Sequence, residues 1–174
     1  MDIVSYEAPG FGVGELALRG TRPVHHDLPL PRRRPGARHL PATACDPDAG
    51  DPAERLVGRV ARFFAGQPVG FDAGELGLAE SCEEWGLTGF GCRAALALAE
   101  VPYGALVSYG ELAGLAGAPR AARAAGTFCA GNPLGLFIPC HRVVRSDGSP
   151  GEFGSYGTRY KQRLLRLEAH GSAA

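Results

Sequence analysis

Apolar and polar positions alternate along FGVGELAL, residues 11–18, with the two-residue period of a strand. Farther along, the period changes. In DPAERLVGRVARFFAG (51–66), Leu56, Val60, Phe63 and Phe64 recur at helical spacing and line one face. Asp51 is placed to cap that helix, Pro52 suits its first position, Glu54 completes a capping box and Gly66 closes it. TGFGCRAALALAE (88–100) predicts a second helix, capped by Thr88 and stopped by Pro102, with PYG (102–104) as a turn. SYGELAGLAG (108–117) predicts a third, with a capping box from Ser108 to Glu111 and a stop at Gly117. PRAARAAGTF (119–128) starts a fourth with Pro119 at its first position. Two short helices joined so tightly are a helix-turn-helix signal. LFIPCHRVV, the turn SDG (146–148) and an aromatic, glycine-rich stretch predict a small hairpin or wing. TRYKQRLLRLEAHG (158–171) predicts a closing amphipathic helix with Leu164, Leu165 and Leu167 inward and Gly171 past its end.

The rest of the chain gives weaker signals. LPLPRRRPGARHLPATACDPDAGDP (28–52) is rich in Pro, Gly and Arg without periodicity and reads as a long loop. Residues 67–87 fit neither period, and Cys82 and Trp85 there read as packing residues. The expected class is α+β, with residues 1–87 as one domain and 88–174 as a winged-helix module.

Charge and cysteine content narrow the classes. The 174 residues carry no net charge, but residues 1–87 hold 9 basic against 13 acidic residues and residues 88–174 hold 9 against 5. A basic C-terminal half points to a polyanion partner for that half, against the plain reading of scattered surface charge. The five cysteines form no CxxC pair, which argues against a disulfide framework and a zinc ribbon. No apolar run approaches a membrane span, and MDIVSYEAPG lacks the regions of a signal peptide. The expected location is the cytoplasm.

The densest chemistry lies in FIPCHRVV, where Cys140 adjoins His141 after Pro139, with GNP (Gly131, Asn132, Pro133) upstream. A reactive thiolate, half a metal site and two core neighbours are all open readings at this point. A thiol near its reference pKa of about 8.5 is mostly protonated at neutral pH, and the thiolate is the nucleophile. In a regular strand, Cys140 and His141 would face opposite ways, so proton transfer between them needs a bridging water. The fourth helix is nearly bare except for Arg120 and Arg123. Such a helix can approach a minor groove closely, or it can pack through its alanines, which would leave Arg123 in need of a partner.

Taken together, IPCHRVV, GNP, PYGALVSYGELA, PRAARAAG and RYKQRLLRLE resemble the methylated-DNA–protein-cysteine methyltransferases, or O6-alkylguanine-DNA alkyltransferases, over roughly residues 88–171. RFFAGQPVGFD before TGF is a weaker likeness. The resemblance implies a ribonuclease-H-like α/β domain ahead of the winged helix. It also implies a single-turnover transfer of an alkyl group from O6-alkylguanine in double-stranded DNA, with base flipping and no cofactor. O4-alkylthymine is a possible second substrate, and a monomer is expected. On the same basis Cys140 is the acceptor, His141 its base through a water, Glu168 the carboxylate that orients His141, and Asn132 the residue that shapes the turn. Tyr109 would turn the target phosphate and bond the guanine, and Arg123 would fill the vacated stack. Ala121, Ala122, Ala124 and Gly126 would form the minor-groove face. The Val143 carbonyl would hold the guanine amino group and Phe153 would pack on the base.

Some positions depart from the family pattern. Gly135 replaces a proline or another small residue, which suggests a roomier pocket wall and tolerance of larger alkyl groups. Ala130 stands where some relatives have a phosphate-contacting arginine. GEFGSYGTRYK (151–161) is one residue longer than the family's common arrangement, so Ser155 is the candidate for guanine O6 and Gly154 the other alignment. His25, His26, His39, Cys45 and Cys82 fit no standard zinc spacing, and no metal is expected. The competing functions are a non-catalytic lesion sensor, a winged-helix regulator and a cysteine hydrolase.

Overall fold

The computed structural model describes residues 1–31, 35–36, 38–87 and 89–171. Its backbone divides into two units, Met1–Val69 and Gly70–Ala174, so residues 70–87 fall with the second unit and not the first. With that boundary the charge split disappears. Met1–Val69 holds 9 basic against 8 acidic residues, and Gly70–Ala174 holds 9 against 10. The net charge of a unit is therefore no argument for a polyanion partner; the placement of individual cations is what matters.

In the first unit, β1 (Asp2–Ala8), β2 (Gly12–Arg19) and β3 (Arg22–Leu30) form an antiparallel meander. The short β4 (His39–Leu40) joins β1 in parallel, giving the order β3-β2-β1-β4. Only β2 was expected from the sequence. Pro23 and Pro29 mask β3, but β3 is an edge strand, where a missing N–H is tolerated. Both prolines also fall at shifts in its register with β2. The expected loop 28–52 is correspondingly shorter, since Leu28–Leu30 belong to β3 and Ala42–Ala44 form a 3-10 turn. The triple arginine, Arg32 to Arg34, lies outside the described residues.

The helix α1 (Pro52–Phe64) forms as its caps require, with Asp51 Oδ1 accepting from the Glu54 N–H at 2.9 Å. Leu56, Val57, Val60 and Phe63 are buried on its core face. Gly58 interrupts that face for a reason. A Cβ there would stand 2.7 Å from Pro47 N and 2.9 Å from the Cys45 carbonyl oxygen, so only glycine lets the helix lie on that backbone.

The histidines considered as metal ligands have other partners. His26 Nε2 lies 2.6 Å from the Tyr6 hydroxyl, His39 Nδ1 3.1 Å from Ser5 Oγ, and His25 3.3 Å from Asp27. Among the described residues no cluster of three His, Cys, Asp or Glu is placed to hold a metal ion.

The second unit contains α2 (Leu78–Glu84), α3 (Gly89–Ala99), β5 (Val107–Ser108), α4 (Tyr109–Leu115), α5 (Ala122–Ala130), β6 (Val143–Val144) and α6 (Gly157–Gly171). Thr88, the expected cap of α3, lies outside the described residues. The capping box of α4 is complete: the Glu111 N–H donates to Ser108 Oγ at 3.1 Å and the Ser108 N–H to Glu111 Oε2 at 2.6 Å. The helix α5 begins at Ala122, with Pro119 and Arg120 in the turn before it and not in its first turn.

The expected hairpin around FIPCHRVV does not form. β6 pairs in parallel with β5, Val107 opposite Val143 and Ser108 opposite Val144. The turn itself is present, closed by Arg145 N–H to Ser149 O at 2.8 Å and Gly148 N–H to Arg145 O at 2.9 Å. Along α6 the buried stripe is Tyr160, Lys161, Leu164 and Glu168, while Leu165 and Leu167 are half-buried. No helix among the described residues is long and apolar enough to cross a membrane.

Candidate active site

Cys140 opens a 3-10 turn, Cys140–Arg142, between Pro139 and β6. In this turn, and not in a strand, Cys140 lines a cavity that His141 does not, and His141 bonds Glu168. Cys140 is 5% exposed and lines a cavity of about 270 Å³ together with Tyr109, Gly126, Cys129 and Phe153. His141 is fully buried, with Nε2 2.7 Å from Glu168 Oε1.

The loop before the turn is built around Asn132. Its Nδ2 donates to the Ile138 carbonyl at 2.8 Å and to Cys140 Sγ at 3.1 Å, and its Oδ1 accepts from the Leu134 N–H at 3.1 Å. The same loop holds Leu136 at φ 79°, a left-handed conformation that costs a non-glycine residue about 1–3 kcal/mol. Its side chain is 1% exposed, so burial of the leucine offsets that strain.

Glu168 has more partners than orientation of one histidine requires. Arg142 Nε donates to both of its oxygens at 3.1 Å, Arg142 Nη2 to Oε1 at 2.9 Å, and the Gly104 N–H to Oε2 at 2.9 Å. Arg142 also donates from Nη1 to the Val101 carbonyl at 2.5 Å. The sequence pointed to His141 and passed over Arg142, although both stand in the same motif.

Lys161 was passed over as well. It is 1% exposed, and its Nζ donates to the Val143 carbonyl at 2.5 Å. That ammonium lies 5.7 Å from the centre of the Tyr109 ring and 5.9 Å from that of Phe153. The signal that could have found it is helical spacing: Lys161, Leu164 and Glu168 share one stripe of α6.

Burial governs the protonation states. It pushes the Cys140 thiol above its ordinary value, against the opposing pull of the Asn132 N–H and of Lys161. It pulls the His141 ring and the Lys161 ammonium below theirs. Burial also raises the Glu168 carboxyl, but His141 and Arg142 more than offset it and bring the group down to about 2. Burial of the sulfur therefore works against its ionisation, while the Asn132 N–H and the Lys161 ammonium work for it. Alkylation of Cys140 by iodoacetamide is expected to quicken about tenfold per pH unit through the ordinary thiol range. Timed peptide mapping at several pH values checks this, and a rate already level near neutrality would show an ionised sulfur.

Residues 90–170 match the family model described as "6-O-methylguanine DNA methyltransferase, DNA binding domain". A methylated-DNA–protein-cysteine methyltransferase of Mycolicibacterium paratuberculosis is 34% identical over 172 residues, which span 99% of this chain and 96% of that protein. The chain belongs to the methylated-DNA–protein-cysteine methyltransferase family. The rat member is 50% identical over 68 residues, a stretch spanning 39% of this chain and only 32% of the rat protein. Among solved structures, Mycobacterium tuberculosis OGT in complex with DNA superposes with a TM-score of 0.69 at 29% identity, covering 97% of this chain and 93% of that one.

For a methylated-DNA–protein-cysteine methyltransferase, several expected positions sit differently. Gly154 lines the cavity, whereas Ser155 is exposed, because the 3-10 turn Gly154–Tyr156 rotates the serine outward. Gly135 is buried in a tight turn bridged to Ile138 and is not on the cavity wall, so it is not what sets pocket size. The Val143 carbonyl already accepts from Lys161, and Val143 does not line the cavity. Phe153 does line it, 6% exposed. On α5, Ala122, Arg123 and Ala124 are exposed and Ala121 half-buried, while Ala125 is buried. The alanines of the outer face are therefore free of packing, and Arg123 has solvent around it. Gly126 reaches the cavity from the same helix, where a Cβ would stand 4.0 Å from the Tyr109 ring. Cys129 is a second thiol in the cavity that the sequence did not single out.

Proposed function

We propose that this chain repairs double-stranded DNA by moving an alkyl group from O6 of guanine onto Cys140, once and irreversibly. The observation that carries the reading is a hydrogen-bonded thiol at a base-sized cavity that opens beside the bare outer face of α5. The base is extruded into the cavity, at a cost of about a few kcal/mol in unstacking. The alkyl carbon's bond to O6 breaks as its bond to Sγ forms. The thiol proton passes through a water toward His141, which Glu168 and Arg142 hold in place, and ends on the released guanine. Asn132 stabilises the sulfur as it ionises, and Phe153 and Tyr109 flank the base. The reaction as written needs no cofactor and no metal.

Ala121, Ala122, Ala124 and Gly126 form the minor-groove face in this reading, and Arg123 enters the stack. The helices α4 and α5 with their tight turn are the helix-turn-helix of a winged-helix domain, and the three-stranded meander with α1 supports a ribonuclease-H-like first domain. A cytoplasmic monomer acting on O6-alkylguanine, and on O4-alkylthymine where that lesion occurs, completes the reading. The M. tuberculosis protein solved in complex with DNA supports the choice of partner.

Intact mass spectrometry after incubation with duplex DNA carrying O6-methylguanine tests it. One methyl per chain, lost in Cys140→Ser, is expected. Repeated turnover would point to a hydrolase, and binding without a mass change to a lesion sensor or regulator.

A further inference from the structure

The cavity's small volume leaves one part of the proposed substrate without a site. About 270 Å³ lies below the range of about 300–1,000 Å³ that takes drug-sized ligands, so it holds a base and leaves the sugar and phosphate at the mouth. Two charged residues stand there, Arg145 and Glu152, and both are exposed. Arg145 is the one positioned to hold an anion. Its backbone is pinned at both ends of the Arg145–Ser149 turn by the two hydrogen bonds that close it. Its side chain then crosses Gly151 at close range. A Cβ built on Gly151 would lie 3.6 Å from Arg145 Cγ and Nε and 3.3 Å from the Tyr109 hydroxyl, and the residue sits at φ +67°. Glycine at 151 thus lets the arginine stem and the tyrosine hydroxyl meet over one point of the rim, directly beside the acceptor sulfur's cavity.

Resting on the alkyl-transfer reading above, we infer that Arg145 grips the backbone phosphate of the nucleotide whose base occupies the cavity. A guanidinium presents paired N–H donors that match two phosphate oxygens, and the Tyr109 hydroxyl adds a third donor at the same spot. Glu152 is the counterweight: a carboxylate at the rim repels the phosphate and tempers a cation that would otherwise bind any anion. The grip draws no sequence information from the DNA, since phosphate contacts position and base contacts specify.

The experiment compares two substrates that share the alkylated base and differ in the phosphate. Single-turnover alkyl transfer is measured for the full chain and for Arg145→Ala, Arg145→Lys and Glu152→Gln. One substrate is duplex DNA carrying O6-benzylguanine and the other is free O6-benzylguanine. Arg145→Ala is expected to slow the duplex reaction about tenfold more than the free-base reaction. It should also flatten the fall of the duplex rate with salt by about one phosphate contact. Arg145→Lys should recover part of the loss, and Glu152→Gln should speed the duplex reaction. Equal slowing of both substrates would place Arg145 on the sulfur or the base and overturn the grip. An unchanged duplex rate would overturn it too. A wild-type chain that takes an alkyl group neither from these substrates nor from duplex DNA carrying O6-methylguanine would instead sink the alkyl-transfer reading, and the grip with it.

Discussion

Glu168→Leu is expected to cost about 3–5 kcal/mol of stability and to abolish alkyl transfer. The substitution does not simply remove an ion pair. It leaves the Arg142 guanidinium, 5% exposed, with the Val101 carbonyl and the Tyr103 ring but no carboxylate, and it strips both the Gly104 N–H and His141 Nε2 of the Glu168 oxygens. Three donors lose a carboxylate at once, and each buried unsatisfied donor adds its own penalty. Urea unfolding followed by the single tryptophan, Trp85, reads the second unit directly. A double change, Arg142→Met with Glu168→Leu, should recover much of the loss, because it removes the stranded charge. If Glu168→Leu unfolds at the same urea concentration as the unmodified chain, the buried hub is not what holds the 3-10 turn to α6.

The same hub gives an acid limit. Glu168 titrates near 2 when folded and at 4.5 otherwise, so its contribution is complete above 4.5 and is lost as pH falls toward 2. His141 acts in the same direction from a higher starting point. Its folded value is depressed below 6.5, so the unfolded chain takes up a proton first and stability begins to fall once pH drops below 6.5. Glu168→Leu should lack the lower of these two steps.

Asn132→Asp is expected to slow alkyl transfer by about a hundredfold or more. The side chain keeps its acceptor for the Leu134 N–H but replaces the donor 3.1 Å from Cys140 Sγ with a carboxylate oxygen. At that distance two like charges repel by about 5 kcal/mol at an effective dielectric constant of about 20, and about 3 kcal/mol of that is enough for a hundredfold in rate. The reaction should also move to higher pH, since the sulfur ionises less readily beside an anion. Single-turnover rates on O6-methylguanine duplex across pH check both effects. Asn132→Ser, which keeps a small donor, should fall between. A variant with the parent rate and the parent pH dependence would show that Asn132 shapes the loop and does not act on the sulfur.

What could be read in the chain, and what could not, follows from where the information is local. The helices α1 and α4 were legible because their caps lie within three or four residues of what they cap. Cys140, His141, Asn132 and Glu168 were legible through motifs, and the structure does bring them together. β3 was hidden because an edge position excuses prolines that a central strand would reject, and strand order is not a local property. Lys161 was hidden because hydrophobic patterning assigns charged residues to the outside of a helix. Its ammonium is inside only because the Val143 carbonyl, 18 positions earlier, meets it there. Ser155 and Gly154 could not be told apart without the 3-10 turn that rotates one toward solvent.

The proline-bearing β3 has a further effect, on behaviour at high concentration. The sheet ends on one side in a strand with two missing amide donors and two register shifts, and on the other in β4, only two residues long. Neither border offers the long, regular row of backbone groups that would recruit a strand from another molecule. With almost no net charge on either unit to hold copies apart, the irregular borders of the sheet are what make it a poor template for pairing with another molecule.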